Sequence, residues 1–136
     1  MTRELLLSFR VDGVPVPQGS KTVFNGRAVD ANAKKLRPWR RKVTASARAA
    51  MIAAGISQPL DGPLILAQLF EFERPKSVKR AHPSVKPDGD KLLRALCDAL
   101  TDAGVWRDDA QMVQWPGRKV YGPNPGVQVS VYREKE

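Results

Sequence analysis

Asp88 and Asp90 stand two residues apart in this chain. A second pair, Asp108 and Asp109, follows on the far side of an amphipathic stretch, with Asp109 lying 19 residues after Asp90. Two carboxylate pairs separated by a helix can converge on one or two Mg²⁺ ions, which prefer hard oxygen ligands. The chemistry such ions bring is hydrolysis of phosphodiesters.

These aspartates sit in a chain of the opposite sign. Across 136 residues, 23 Lys and Arg face 14 Asp and Glu, a net charge of +9 and a pI near 10.1, which points to a polyanionic partner. Six of the 14 acidic residues (Asp88, Asp90, Asp98, Asp102, Asp108 and Asp109) fall between positions 88 and 109. Bare carboxylates there would repel DNA, whereas divalent cations would reverse the local sign. A basic chain with an internal acidic knot therefore reads as a nuclease rather than a simple binder.

The elements that must position these groups can be read from periodicity. Leu5, Leu7, Phe9 and Val11 alternate before Asp12-Gly13, the pattern of a strand ending in a tight turn. From Val14 to Leu36, prolines at 15 and 17 and glycines at 19 and 26 predict a loop or irregular hairpin with Lys21 and Arg27 exposed. Between Pro38 and Gly55, residues Trp39, Val43, Ala47, Ala50, Met51 and Ala54 recur at helical spacing, with the proline suited to the first turn and the glycine to the end. Trp39 reads more readily as a core anchor than as a base-stacking platform. The apolar run Leu64 to Phe72, with Phe70 and Phe72 on one face, predicts a buried central strand.

The segment from Lys91 to Ala103 is the clearest helix. Leu92, Leu93, Leu96, Cys97, Leu100 and Ala103 cover one side, while Lys91, Arg94, Asp98, Thr101 and Asp102 cover the other. Gly104 ends it, and Asp90, Arg94 and Asp98 form a row along its flank. Gln111 to Trp115 and Val127 to Tyr132 are further strand candidates, expected to form an antiparallel pair joined through Lys119-Val120-Tyr121 and the turn-rich YGPNPG.

Two cationic stretches frame the acidic knot. Lys34, Lys35, Arg37, Arg40, Arg41 and Lys42 crowd the start of the first helix, where the helix dipole favours negative charge, so a bound phosphate would relieve the conflict. Arg74, Lys76, Lys79, Arg80 and Lys86 lie among prolines in a loop that leads into the aspartates, a second expected DNA contact. The competing reading of both is a solvated charged surface.

Length and composition set outer limits. A single domain over 1–136 is expected, large enough to bury a core without disulfides. Cys97 is the only cysteine and reads as a small buried core residue; no intramolecular disulfide is possible, and a reducing compartment is expected. The lone histidine, His82, reads as a loop residue and excludes a His-rich zinc site by counting. MTRELLLSFRV has too short an apolar run for a signal peptide, and nothing approaches the roughly 20 apolar residues of a membrane span. A soluble, intracellular protein is expected.

The acidic motif has innocent readings too. Asp88 or Asp90 could cap the helix that follows, worth about 1 kcal/mol, and adjacent aspartates such as Asp108 and Asp109 are common in turns. More specific is the whole run KPDGDKLLRALCDALTDAGVWRDDAQ. It resembles the RusA family of Holliday-junction resolvases, whose signature reads roughly D-x-D-N-L-x-K-x-x-x-D-A-L and then G-x-W-x-D-D-x-Q. The resemblance covers about residues 86 to 115 closely, and the strand, helix and strand before it agree in order.

What the resemblance implies is a single-domain α+β fold, a mixed sheet of about four to five strands against two main helices, in a homodimer that nicks opposing strands of four-way DNA junctions with Mg²⁺ or Mn²⁺. Carried over by position, it makes Asp88, Asp90 and Asp109 metal ligands, with Asp108, also counted among candidate metal ligands, and Asp98 as supporting acids. The family's Asn after the second aspartate is Lys91 here, and its Lys four residues on is Arg94. Arg94 can clamp a phosphate or stabilise developing charge but cannot give up a proton at neutral pH, and Lys91 is a candidate to substitute in part. No membrane or small-molecule cofactor is expected, and a cytoplasmic, phage- or prophage-encoded protein of a bacterial cell is. The alternatives are a non-catalytic branched-DNA-binding protein and a nuclease for flaps or replication forks; a ribonuclease or toxin has less behind it, since no pattern points to 2′-OH recognition.

Overall fold

The computed structural model describes residues 3–19, 21–30 and 32–135, and for 21–24 and 28–30 the backbone alone. The elements in chain order are β1 (Arg3–Asp12), β2 (Lys21–Phe24), β3 (Arg27–Asp30), α1 (Ala33–Ala53), β4 (Leu64–Phe72), α2 (Gly89–Ala103), a single 3₁₀ turn (Asp109–Gln111), β5 (Met112–Gln114), β6 (Gly117–Tyr121) and β7 (Gly126–Glu134). This is the expected α+β architecture, a five-stranded mixed sheet and two long helices.

The sheet runs β1-β7-β4 and ends in an edge made of two short strands, β5 and β6, both pairing with β4. β7 lies antiparallel to both β1 and β4, whereas β5 and β6 run parallel to β4. The antiparallel pair expected between residues 111–115 and 127–132 is therefore corrected: β4 and β1 flank β7, and the turn-rich segment carries the chain away from the edge. Val127, Val129 and Val131 are fully buried, while on the other face Ser130 bonds Ser8 at 3.2 Å. Alternation in β7 announces one apolar face but is silent about which strands lie beside it.

Both helices contribute to one core with Leu7, Val11, Leu64, Leu66 and Phe70 of the sheet. α2 buries Leu92, Leu96 and Leu100 completely, each worth about 1.5–3 kcal/mol relative to exposure. Gly104 ends α2 at φ 80°, a left-handed conformation that glycine adopts without a Cβ penalty. Trp39 is a core anchor, 5% exposed, and Cys97 is buried, both as expected. In β1 a register shift between Leu5 and Leu7 breaks the alternation, and Leu5 turns outward.

α1 begins five residues before Pro38, which lies inside the helix. Leu36, 2% exposed, sits one helical turn before Trp39 and extends the packed stripe backward, so burial outweighs the hydrogen bond that Pro38 cannot donate. Lys34 and Lys35 fall in the first turn, which holds no acidic residue; Arg37, Arg40 and Arg41 lie further along, beyond the reach of the dipole effect. The loop expected over 14–36 contains the β2–β3 hairpin, turning at Asn25-Gly26, with Arg27 exposed. The expectation for the Lys21 side chain lies outside the described residues. Among the described residues no helix is long and apolar enough to cross a membrane.

Candidate active site

Asp88 occupies the N-cap position of α2, yet its side chain makes no capping hydrogen bond. Its nearest cation is Lys91, with Nζ 4.0 Å from Oδ2, the outer limit of an ion pair. Asp90 lies in the first helical turn, where negative charge suits the dipole, and it is exposed. The loop before them is held from β6: Lys119 Nζ donates to the carbonyls of Val85 and Pro87, both at 2.8 Å. Arg80 Nε further donates to Tyr121 Oη at 3.1 Å. Arg74, Lys76, Lys79, Arg80 and Lys86 are exposed along this loop, as is His82.

At the other end of α2 the sequence G-x-W-x-D-D-x-Q builds a return turn, and the structural duties of its residues separate cleanly. Gly104 caps the helix. Trp106, 1% exposed, fills the core and donates to Thr101 Oγ1 at 2.7 Å. Asp108 caps the 3₁₀ turn, accepting from the Ala110 amide at 2.9 Å, in a reciprocal box with Gln111. Gln111 Nε2 donates to the carbonyls of Leu60 at 2.9 Å and Gly62 at 3.1 Å. Asp108 thus has a structural task of its own. Asp109 is exposed, and among the described residues neither Asp109 nor Asp90 has an ion-pair or hydrogen-bond partner for its carboxylate.

The return turn brings Asp109 alongside the middle of α2. Cys97 Sγ lies 3.9 Å from Met112 Sδ, and burial, then Asp109 and Asp98, push the Cys97 thiol up to about 12. Asp98, half-buried, is held above the usual carboxylate range chiefly by burial; Arg40 opposes this, Asp102 and Asp109 add to it, and Arg94 opposes it. Asp98, Asp108 and Asp109 share one hollow with Arg40 and Arg107. Asp90 lines a different one, with Leu93, Trp115 and Arg118. Arg94 is exposed on the flank between them.

Asp88, Asp90 and Asp109 offer hard carboxylate oxygens only, which suits Mg²⁺ and not a thiol- or imidazole-seeking metal. Among the described residues no three acidic, Cys or His side chains are gathered into a cluster that could hold a metal ion. Mg²⁺ does not require such a cage, because it keeps several waters and commonly takes one or two carboxylates together with a substrate phosphate. The donor chemistry therefore fits.

The cations expected at the start of α1 divide into two groups. Arg40 is tied to Asp102, with Nη2 at 2.7 Å from Oδ2, whereas Lys34, Lys35, Arg37 and Arg41 are exposed. Arg37, Arg40, Arg41 and Arg48 line a hollow of about 460 Å³ that reaches Asp102, joining the basic face of α1 to the far end of α2. Sequence reasoning missed Gln68, Lys119 and the environment of Trp115. A polar residue in the middle of the largely apolar run of β4 was the available signal for Gln68; the partners of the other two lie too far away in sequence to leave one.

The profile of the family described as Endodeoxyribonuclease RusA matches residues 12–132. The chain is also similar to a protein of Bacillus subtilis (strain 168) named Uncharacterized protein YqaN. The two are 25% identical over 142 residues, covering 92% of this chain and 94% of that relative.

Proposed function

Because the chain belongs to the RusA endodeoxyribonuclease family, we propose that it resolves four-way DNA junctions by paired, symmetric nicks, as a Mg²⁺-dependent homodimer. The observation that carries this reading is that Asp90 and Asp109 keep unpartnered, exposed carboxylates in a chain of net charge +9. Asp109 shares its hollow with Asp98, Asp102 and Asp108 against Arg40 and Arg107, an acidic centre in a basic chain, and the return turn spends Gly104, Trp106, Asp108 and Gln111 on presenting Asp109.

Asp88, Asp90 and Asp109 would supply the metal ligands, one or two carboxylates to an ion together with the substrate phosphate, with Asp108 and Asp98 in support. When bound, Mg²⁺ supplies an activated water and charge stabilisation at the scissile phosphate. Arg94, exposed between the two acidic pairs, holds a non-bridging phosphate oxygen and offsets charge that builds during in-line displacement. Its part is that of a charge clamp and not of the general acid. Lys91 adds positive charge beside Asp88. Lys34, Lys35, Arg37, Arg40 and Arg41 on α1, and Arg74, Lys76, Lys79, Arg80 and Lys86 on the loop, grip the DNA arms through phosphates, which favours shape over sequence. A two-fold symmetric dimer matches the symmetry of the junction and supplies the second nick. Mn²⁺ satisfies the same oxygen donors.

The test is a substrate panel with 5′-labelled immobile junction, replication fork, flap and linear duplex in Mg²⁺. Paired nicks at symmetric positions in opposing strands of the junction, with the duplex spared, are expected. Equal cutting of forks or flaps in single strands would replace the resolvase reading by a general branched-DNA nuclease.

A further inference from the structure

The edge of the sheet is broken where it passes the Asp90 end of α2. β5 pairs with β4 at Leu64 and Ile65, and β6 resumes at Gln68; Trp115 and Pro116 lie between them, outside both strands. Gln68 is the one buried polar residue among those described, 8% exposed. Its backbone amide donates to Pro116 O at 3.1 Å and its side-chain Nε2 to Trp115 O at 3.0 Å. The break is a built feature: a buried side chain replaces the missing ladder bond, and the interruption re-aims the residue that occupies it.

That residue is a tryptophan with 54% of its surface exposed. It lines a hollow of about 420 Å³ together with Phe70, Gln68, Asp90, Arg118 and Lys119. The space is in the range of small-ligand sites and holds one nucleotide. Its walls combine an indole, an exposed arginine and, at the rim, a carboxylate assigned above to the metal. A ligand that matches all three carries a flat ring to stack, a phosphate for Arg118 and a neighbouring phosphate near Asp90. A base inside a duplex cannot present its face to an indole; an unpaired or unstacked one can.

We propose that this hollow is a single-nucleotide subsite that takes an unstacked base of the DNA at the branch point, stacked on Trp115 with its phosphate on Arg118. This rests on the nuclease reading of Asp90 and deepens it. Lys119, which lines the hollow, has its ammonium engaged by the Val85 and Pro87 carbonyls and so fixes the loop that leads into Gly89 and Asp90. The subsite sets where the strand is bent out of the stack relative to the cut.

The experiment uses tryptophan fluorescence in EDTA, where no cutting occurs. Trp39 and Trp106 are buried at 5% and 1% exposure, so Trp115 is the quenchable reporter. Titration of the protein with the single-stranded trinucleotide of thymidine should give saturable quenching in the wild type. Trp115→Ala should weaken trinucleotide binding, read by competition with a labelled strand, by about 5- to 100-fold, and Trp115→Phe should recover most of it while both variants melt like the wild type. Absence of saturable quenching, equal trinucleotide affinity in Trp115→Ala, or protection of Trp115 from acrylamide in the DNA-free protein, as when a second copy covers it, would each overturn the subsite. The nuclease reading fails separately: a wild type that does not cut branched DNA yet is quenched by the trinucleotide keeps the subsite and removes the enzyme.

Discussion

Gly117→Ala is the sharpest structural test of the edge that shapes the Asp90 hollow. A Cβ built at position 117 would lie 1.4 Å from Gln68 Oε1, 2.2 Å from its Cδ and 2.7 Å from its Nε2, so the amide has to leave. Swinging it aside breaks the 3.0 Å bond to Trp115 O and leaves a buried amide without a partner, costing about 1–3 kcal/mol. The added carbon contributes roughly 1 kcal/mol more, the low end of overpacking. A total of about 2–4 kcal/mol lowers Tm by about 7–14 °C for a chain of this size. Gln68→Ala alone should cost about 1 kcal/mol, because Trp115 O lies at the sheet edge where water replaces the donor. With the amide gone the alanine at 117 loses its principal clash, so the double variant should match Gln68→Ala within about 0.5 kcal/mol, a strong coupling between neighbours. Circular-dichroism melts and urea titrations of the four proteins measure this. The reasoning is refuted if Gly117→Ala melts within about 2 °C of the wild type, or if the double variant is as unstable as the two single changes added together.

Three further outcomes follow from the same geometry. Gln111→Ala removes the acceptor for the Arg107 and Asp108 amides and the donor to Leu60 and Gly62; it should cost about 2–3 kcal/mol in urea unfolding and slow cleavage more than it weakens DNA binding in gel shifts. Asp98→Asn in EDTA should be more stable than the wild type at neutral pH. The Asp98 pKa is raised on folding, so the native state binds its proton first as pH falls: the wild type gains stability from this group on going down through the folded pKa towards the unfolded one, and the advantage of the variant shrinks over that window. Arg37→Ala with Arg41→Ala should reduce the slope of log K against log salt by about 1–2 units; an unchanged slope in a binding titration would remove α1 from the DNA interface.

How far the sequence reveals this molecule depends on whether the deciding contact is local. The β4 boundaries at Leu64 and Phe72 follow from a largely apolar run, and α2 from its leucine stripe and Gly104. The start of α1 was misread because Pro38 is a strong local signal, while burial of Leu36, a tertiary effect, carries the helix back to Ala33. The pairing of β5 and β6 with β4 escaped for a related reason: an alternating pattern names a face and not a neighbour. At the site, the carboxylates and their spacing were visible, and the family resemblance tied the two pairs together. The apparatus around them was not. Gln68 reaches Trp115 across 47 residues and Lys119 reaches Pro87 across 32, distances over which neither composition nor periodicity carries information. Asp108 illustrates the limit within the motif itself, since the sequence shows two adjacent aspartates and only the fold reveals that one of them caps a turn.

The most direct test of the central claim is single-turnover cutting of an immobile four-way junction by the wild type, Asp90→Asn and Asp109→Asn in Mg²⁺, with junction affinity measured in parallel in Ca²⁺. The account predicts paired nicks by the wild type and losses of at least about 100-fold in both variants, with binding retained within a few-fold. Variants that cut like the wild type, or a wild type that binds the junction and leaves it intact in both Mg²⁺ and Mn²⁺, would contradict it.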